Sequence, residues 1–300
     1  MDSPLVVDPR TSPPGPAAVV GAYVALTKPR IIELLLITTV PAMVLAAGGW
    51  PATWLVLATL LGGTLSAGGA NALNSYYDRD IDEVMRRTSR RPLPRHRIDP
   101  RKAVWFGWAL GAAGFAVLWA TTNLLAGLIS TAALLFYVFV YTRWLKRSTD
   151  QNIVIGGAAG AAPVLVGWAA VTGGIDLPAW IMFAIVFTWT PPHFWALALR
   201  YEQDYAAAGV PMLPVTRGVA ATTRQMLAYT AVMILFSLAL VPVAGLRWPY
   251  LLAALVLGGW FLVESVRVIR RPERAMALFA FSTVYLAALF GAMVVDVLVG

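Results

Sequence analysis

Cysteine is absent and histidine occurs only twice, at His96 and His193, in a chain of 300 residues. The first absence excludes disulfides, thiol nucleophiles and thiolate metal centres. The second excludes a multi-histidine zinc site. Charge is scarce as well: 13% of residues are charged against 59% hydrophobic, and mean hydropathy is +0.71. That balance lies far from a soluble globular domain. No P-loop or Rossmann glycine fingerprint is present, which argues against nucleotide use. The formal charge of +8 and pI near 10.0 would suit nucleic acid. In a multi-span protein the usual source of such charge is basic cytoplasmic loops, so no nucleic-acid partner is expected.

What the chain does have is a series of apolar runs long enough to cross a bilayer. They fall at residues 31–47, 54–76, 103–121, 124–141, 153–172, 178–199, 226–246, 250–268 and 275–298. The expected fold is therefore all-α and polytopic, with about nine transmembrane helices in a membrane domain over residues 23–300. Residues 1–22 open with a Pro-rich polar stretch, too broken for a signal-peptide core. They are expected to form a disordered cytoplasmic tail. With a cytoplasmic amino terminus, Arg247 is the one residue among the 23 Lys and Arg that falls on the far side. That bias sets the orientation.

Where the second run meets a basic loop, the sequence reads N-S-Y-Y-D-R-D-I-D from Asn74 to Asp82. Asn74, Asp78 and Asp82 recur every four residues and share one helical face; Asp80 points off it. The bland alternative is a solvated, orientation-setting loop. Against it, Asp at a helix C-terminus opposes the macrodipole unless a cation offsets the cost, and Asn74 lies at membrane depth, where an amide needs a partner. A second acidic group, Glu202 and Asp204, follows the sixth run, at the equivalent point of a second four-helix block. Oxygen ligands at a membrane surface suit a divalent cation that in turn holds a phosphate. Asn74, Asp78, Asp82, Glu202 and Asp204 are thus candidate Mg²⁺ ligands, with Asp78, Asp82 and Asp204 expected to be catalytic. Mg²⁺ bridging carboxylates and a lipid diphosphate would make the diphosphate a better leaving group. Arg86, Arg87, Lys146, Arg147 and Arg200 are candidates to hold it.

The N-x-x-x-D-x-x-x-D pattern with a second acidic motif resembles the intramembrane prenyltransferases of the UbiA superfamily. The resemblance extends through L-T-K-P-R from Leu26, R-R-P-L-P from Arg90, Y-T-R-W-L-K-R from Tyr141, T-P-P-H-F-W from Thr190 and D-Y-A-A-A-G-V-P-M-L-P from Asp204. D-R-D-I-D together with T-P-P-H-F-W is similar to the heme-farnesylating branch. That resemblance implies farnesyl diphosphate and heme b as substrates and Mg²⁺ as cofactor. It implies attack of the heme 2-vinyl group on an allylic cation, followed by water addition, and a downstream heme-modifying enzyme as a partner class. The location implied is the cell (inner or plasma) membrane, with the site cytoplasmic. Such a cation needs a dry, aromatic-lined cavity. Phe136, Tyr137, Tyr141, Trp168, Phe187, Trp189, Phe194 and Trp195 are available, although membrane aromatics mostly serve packing. His193, beside Pro191 and Pro192 in an expected irregular segment, is either a heme contact or a buried hydrogen bond. Structural pairing is the favoured reading for Glu33 and for Glu264 with Arg267. Other functional readings are prenyl transfer to an aromatic quinone precursor and a secondary transporter. The gathering of charge on one face argues against the transporter.

Overall fold

A computed structural model describes residues 15–300, the side chains of residues 30–36 excepted. Among the described residues it is helical throughout, without strands. Among the described residues, eight helices are long and apolar enough to cross a membrane. They are joined by α2 (Pro29–Ala47), whose described apolar part is Ile37–Ala47. The chain is therefore a multi-pass membrane protein, and the expectation of about nine spans stands as an approximate number. The tail expected over residues 1–22 falls partly outside the described residues. Pro16 already opens helix α1 (Pro16–Thr27), with proline in the first turn, where its missing N–H is not needed.

Order along the chain places two similar blocks side by side. In the first, α2 is followed by α3 (Thr53–Tyr77), the short α4 (Arg79–Val84), α5 (Pro100–Thr121) and α6 (Leu124–Leu135). The helix continues from α6 as a π-helical stretch, Phe136–Leu145, and a last turn α7 (Lys146–Ser148). In the second, α8 (Asn152–Thr172) and α9 (Leu177–Arg200) precede the short α10 (Glu202–Ala207). Then come α11 (Leu213–Ala244), α12 (Trp248–Arg270) and a final α13 (Ala275–Val299). The blocks share a plan: each second span ends in a six-residue helix, α4 or α10, that carries its acidic residues. α11 starts well before the apolar run at 226–246 and breaks at Gly218 (φ 74°).

Local chemistry sets the ends. Asp99 caps α5 by accepting from the N–H groups of Arg101 (2.7 Å) and Lys102 (3.3 Å), and Asn123 caps α6 through Ala126 N–H (2.9 Å). In a bilayer, helices associate through close packing of small residues rather than by exclusion of water. α3 and α5 meet in this way: a Cβ on Gly69 would lie 2.5 Å from the Gly107 carbonyl oxygen, and one on Gly114 would lie 2.7 Å from the Ser66 nitrogen. The largest buried cluster lies in the second block, around Trp189, Trp195, Phe261, Tyr285 and Phe290. α9 runs as a continuous helix through Pro191 and Pro192, where an irregular segment was expected. Thr188 and Thr190 donate to the Ala184 and Val186 carbonyls, four residues back along the same helix. Glu264 pairs with Arg267 as expected (2.5 Å) and also with Arg274 (3.2 Å). Glu33 lies among the side chains outside the description.

Candidate active site

α3 ends at Tyr77 and α4 begins at Arg79, yet the i→i−4 ladder carries across the joint. Asp78 N–H donates to Asn74 O (2.9 Å) and Asp82 N–H to Asp78 O (2.7 Å). Asn74, Asp78 and Asp82 therefore keep the common face expected from their spacing, and all three are buried. Each has a charged partner from another element. Lys28 Nζ donates to Asn74 Oδ1 at 2.5 Å, and Lys146 Nζ meets Asp78 Oδ2 at 2.5 Å. Arg91 Nη1 donates to both oxygens of Asp82, at 2.8 and 2.7 Å. Asn74 Nδ2 donates to Asp78 Oδ2 (2.8 Å) and Thr142 Oγ1 (3.0 Å). The cation that offsets Asp78 at the helix end is thus Lys146, on the first turn after the π-helical stretch.

That stretch is what brings Lys146 and Thr142 to α3. Widening by one residue per turn lets the Thr142 hydroxyl donate back to Tyr137 O at 2.8 Å, five residues earlier, while it accepts from Asn74. Lys28 is placed by backbone strain. It sits in the left-handed region (φ 53°) between α1 and α2, an arrangement costing about 1–3 kcal/mol for a non-glycine residue. Burial, joined by repulsion from Arg91, pulls its ammonium pKa down to about 7. Arg91 is delivered by the loop after α4, pinned through Leu93 and Ile98, which pack with Ala22, Leu26, Ala72 and Ala103.

These groups line one end of a cavity of about 320 Å³. Its mouth carries Lys28, Asn74, Asp78, Asp82, Arg87, Arg91 and Lys146, and its body follows α3 past Ala70, Ala67 and Gly63 to Thr59. At about 1.5 Å per residue, Asp78 to Thr59 spans about 28 Å along the helix. Small residues of α8 form the opposite wall (Gly156, Gly157, Gly160), and Gly156 leaves room for the Tyr141 ring. Of the aromatics offered by spans four to six, Tyr137, Tyr141, Trp189 and Phe194 reach the cavity; Phe136, Trp168, Phe187 and Trp195 do not line it.

The other candidates distribute unevenly. Arg87 lines the cavity, whereas Arg86 and Arg200 are exposed and do not. Arg147 grips the exposed Asp80 through two hydrogen bonds of 2.7 and 2.8 Å and comes to 4.0 Å from Asp78 Oδ1. The Arg147 hydrogen bonds hold the Asp80 carboxyl down at about 2. Glu202 and Asp204 are half-buried on α10 and do not line the cavity, although the adjacent Tyr205 does. Among the described residues no three acidic or histidine side chains converge closely enough to hold a metal between them. His193 is buried away from the cavity wall: its ring stacks on Trp189 (4.2 Å) and Phe279 (4.4 Å), and Nδ1 lies 2.6 Å from Ser282 Oγ. Lys28, Arg91 and Thr142 were not among the candidates. The signals present in sequence were K-P at the start of a span and R-R-P-L-P after the acidic motif.

The donor set fits Mg²⁺ in kind. Asp78, Asp82 and Asn74 offer hard oxygens, and Asp78 Oδ1 is buried without a hydrogen-bond partner. The family model for UbiA prenyltransferases matches residues 35–293. The chain belongs to the UbiA prenyltransferase family. A protoheme IX farnesyltransferase of Clavibacter michiganensis subsp. michiganensis is 55% identical to this UbiA chain over 287 residues, 94% of each. Among solved structures, a digeranylgeranylglyceryl phosphate synthase superposes with a TM-score of 0.78 at 17% identity, covering 94% of this chain and 99% of that one. A UbiA homolog from Archaeoglobus fulgidus bound to GPP and Mg²⁺ gives 0.63 at 16% identity, covering 91% and 99%. At such identities these likenesses concern the fold.

Proposed function

We propose that this UbiA protein transfers the farnesyl group of farnesyl diphosphate to the 2-vinyl group of protoheme IX (heme b), with water addition, releasing diphosphate. One observation carries the reading: a mouth of paired carboxylates and cations ends an apolar cavity built along spanning helices. The relative from Clavibacter michiganensis, with this activity in its name, supports the choice of acceptor.

In this reading Asp78 and Asp82, with Asn74, hold Mg²⁺, and Asp204 on α10 supplies a carboxylate from the neighbouring block, with Glu202 beside it. Bound there, Mg²⁺ would neutralise the diphosphate and improve it as a leaving group. Lys28, Arg87, Arg91 and Lys146 take the diphosphate oxygens by charge-assisted hydrogen bonds. The prenyl chain lies in the small-residue channel between α3 and α8. Its C1 loses diphosphate and bonds to the terminal vinyl carbon; water then adds its hydroxyl to the carbon beside the ring and gives up a proton. Tyr137, Tyr141 and Trp189 face the developing cation with π density, and the Gly/Ala walls exclude early water. The site opens on the cytoplasmic side of the cell membrane, where all Lys and Arg except Arg247 gather by the span order.

The test is to incubate membranes carrying the protein with farnesyl diphosphate, Mg²⁺, heme b and hydroxybenzoate and to identify the prenylated product by mass. A hydroxyethylfarnesyl heme is expected. An unmodified heme alongside a prenylated hydroxybenzoate would move the protein to quinone-precursor chemistry.

A further inference from the structure

A second pocket, of about 350 Å³, is lined by Tyr76, Tyr77, Arg79, Asp80, Arg143 and Arg147, none of which lines the first. Its charges are not balanced. Arg147 is committed to Asp80 and to the Tyr77 carbonyl (2.7 Å). Arg79 donates once, to the Tyr76 carbonyl (2.9 Å), and its guanidinium lies 4.6 Å from the centre of the Tyr76 ring. Arg143 makes no hydrogen bond or ion pair among the described residues; its guanidinium lies 5.0 Å from the Tyr77 ring and 5.8 Å from Phe139. Two guanidinia and two phenols thus share one pocket with donors to spare. Phe139 lies one turn before Arg143 and stacks on Trp108 (6.2 Å). Phe139 and the neighbouring Trp144 are exposed. Cations set above an exposed aromatic wall at the ends of two spanning helices match the two halves of a phospholipid.

We propose that this pocket binds one anionic phospholipid, its phosphate on Arg79 and Arg143 and an acyl chain along Phe139 and Trp108. The proposal does not depend on the activity assigned to the larger cavity. Rings beneath both guanidinia hold them in place, and a planar guanidinium meets phosphate oxygens with two parallel hydrogen bonds.

Native mass spectrometry of the full chain in detergent, titrated with phosphatidylglycerol or phosphatidylcholine of matched chains, tests it. One phosphatidylglycerol should be retained at least tenfold more tightly than phosphatidylcholine, and equimolar inorganic phosphate should not displace it. Arg79→Gln with Arg143→Gln should remove that preference and leave phosphatidylcholine binding unchanged. Arg101→Gln with Lys102→Gln, which removes as much charge from the exposed start of α5, should keep it. Equal retention of the two lipids by the unaltered protein would overturn the proposal without any variant. So would displacement by phosphate, or equal loss in both double variants.

Discussion

Asp78→Asn separates two roles that the same mouth could play. Four cations (Lys28, Arg87, Arg91 and Lys146) share the mouth with only two carboxylates, Asp78 and Asp82. If the mouth attracted diphosphate by charge alone, removing a carboxylate would strengthen substrate binding and leave kcat in place. If Asp78 ligates Mg²⁺, the Lewis-acid contribution is lost. That contribution is several kcal/mol; about 3–5 kcal/mol at 1.36 kcal/mol per tenfold is a fall of roughly 10²–10⁴ in kcat. The fold should survive. Asparagine keeps an oxygen for Lys146, and the loss of a charge-assisted hydrogen bond costs about 1–3 kcal/mol. The assay is the steady-state rate of farnesylated heme formation by membranes with equal amounts of each protein, over a range of farnesyl diphosphate. A lower KM with kcat within tenfold of the parent would refute the metal assignment.

Asp204→Asn should lower turnover at least a hundredfold without changing membrane yield, although Asp204 does not line the cavity; near-normal product in the same assay would remove α10 from metal binding. His193→Ala should depress use of heme and of farnesyl diphosphate equally and lower the thermal midpoint in detergent, because the imidazole is packed between Trp189, Phe279 and Ser282. A KM change confined to heme would count against that packing role. Gly69→Ala should cost about 1–3 kcal/mol by overpacking against the rigid Gly107 carbonyl. Gly160→Ala, with nothing within 4 Å of its Cβ, serves as the control, and equal midpoints for the two would sink the close-packing argument.

Residue order alone determined the helical class, the spans and the face shared by Asn74, Asp78 and Asp82, because each depends on local periodicity and on apolar length. The Asp99 and Asn123 caps belong to the same local category. Tertiary structure decided the rest. Lys28 lies 46 residues before Asn74, and Lys146 lies 68 residues after Asp78; their pairing with Asn74 and Asp78 is a product of α1, α3 and α7 meeting. Arg91 was one of many arginines until Leu93 and Ile98 anchored its loop, and Thr142 gained its role from a π-helical stretch that no hydrophobic pattern announces. His193 and the aromatics show the same division. Sequence located them in spans, but only packing settled that Tyr137, Tyr141 and Trp189 border the cavity while His193 stacks behind it. Helical spacing dictates which residues share a face; which neighbour that face meets is a property of the assembled bundle.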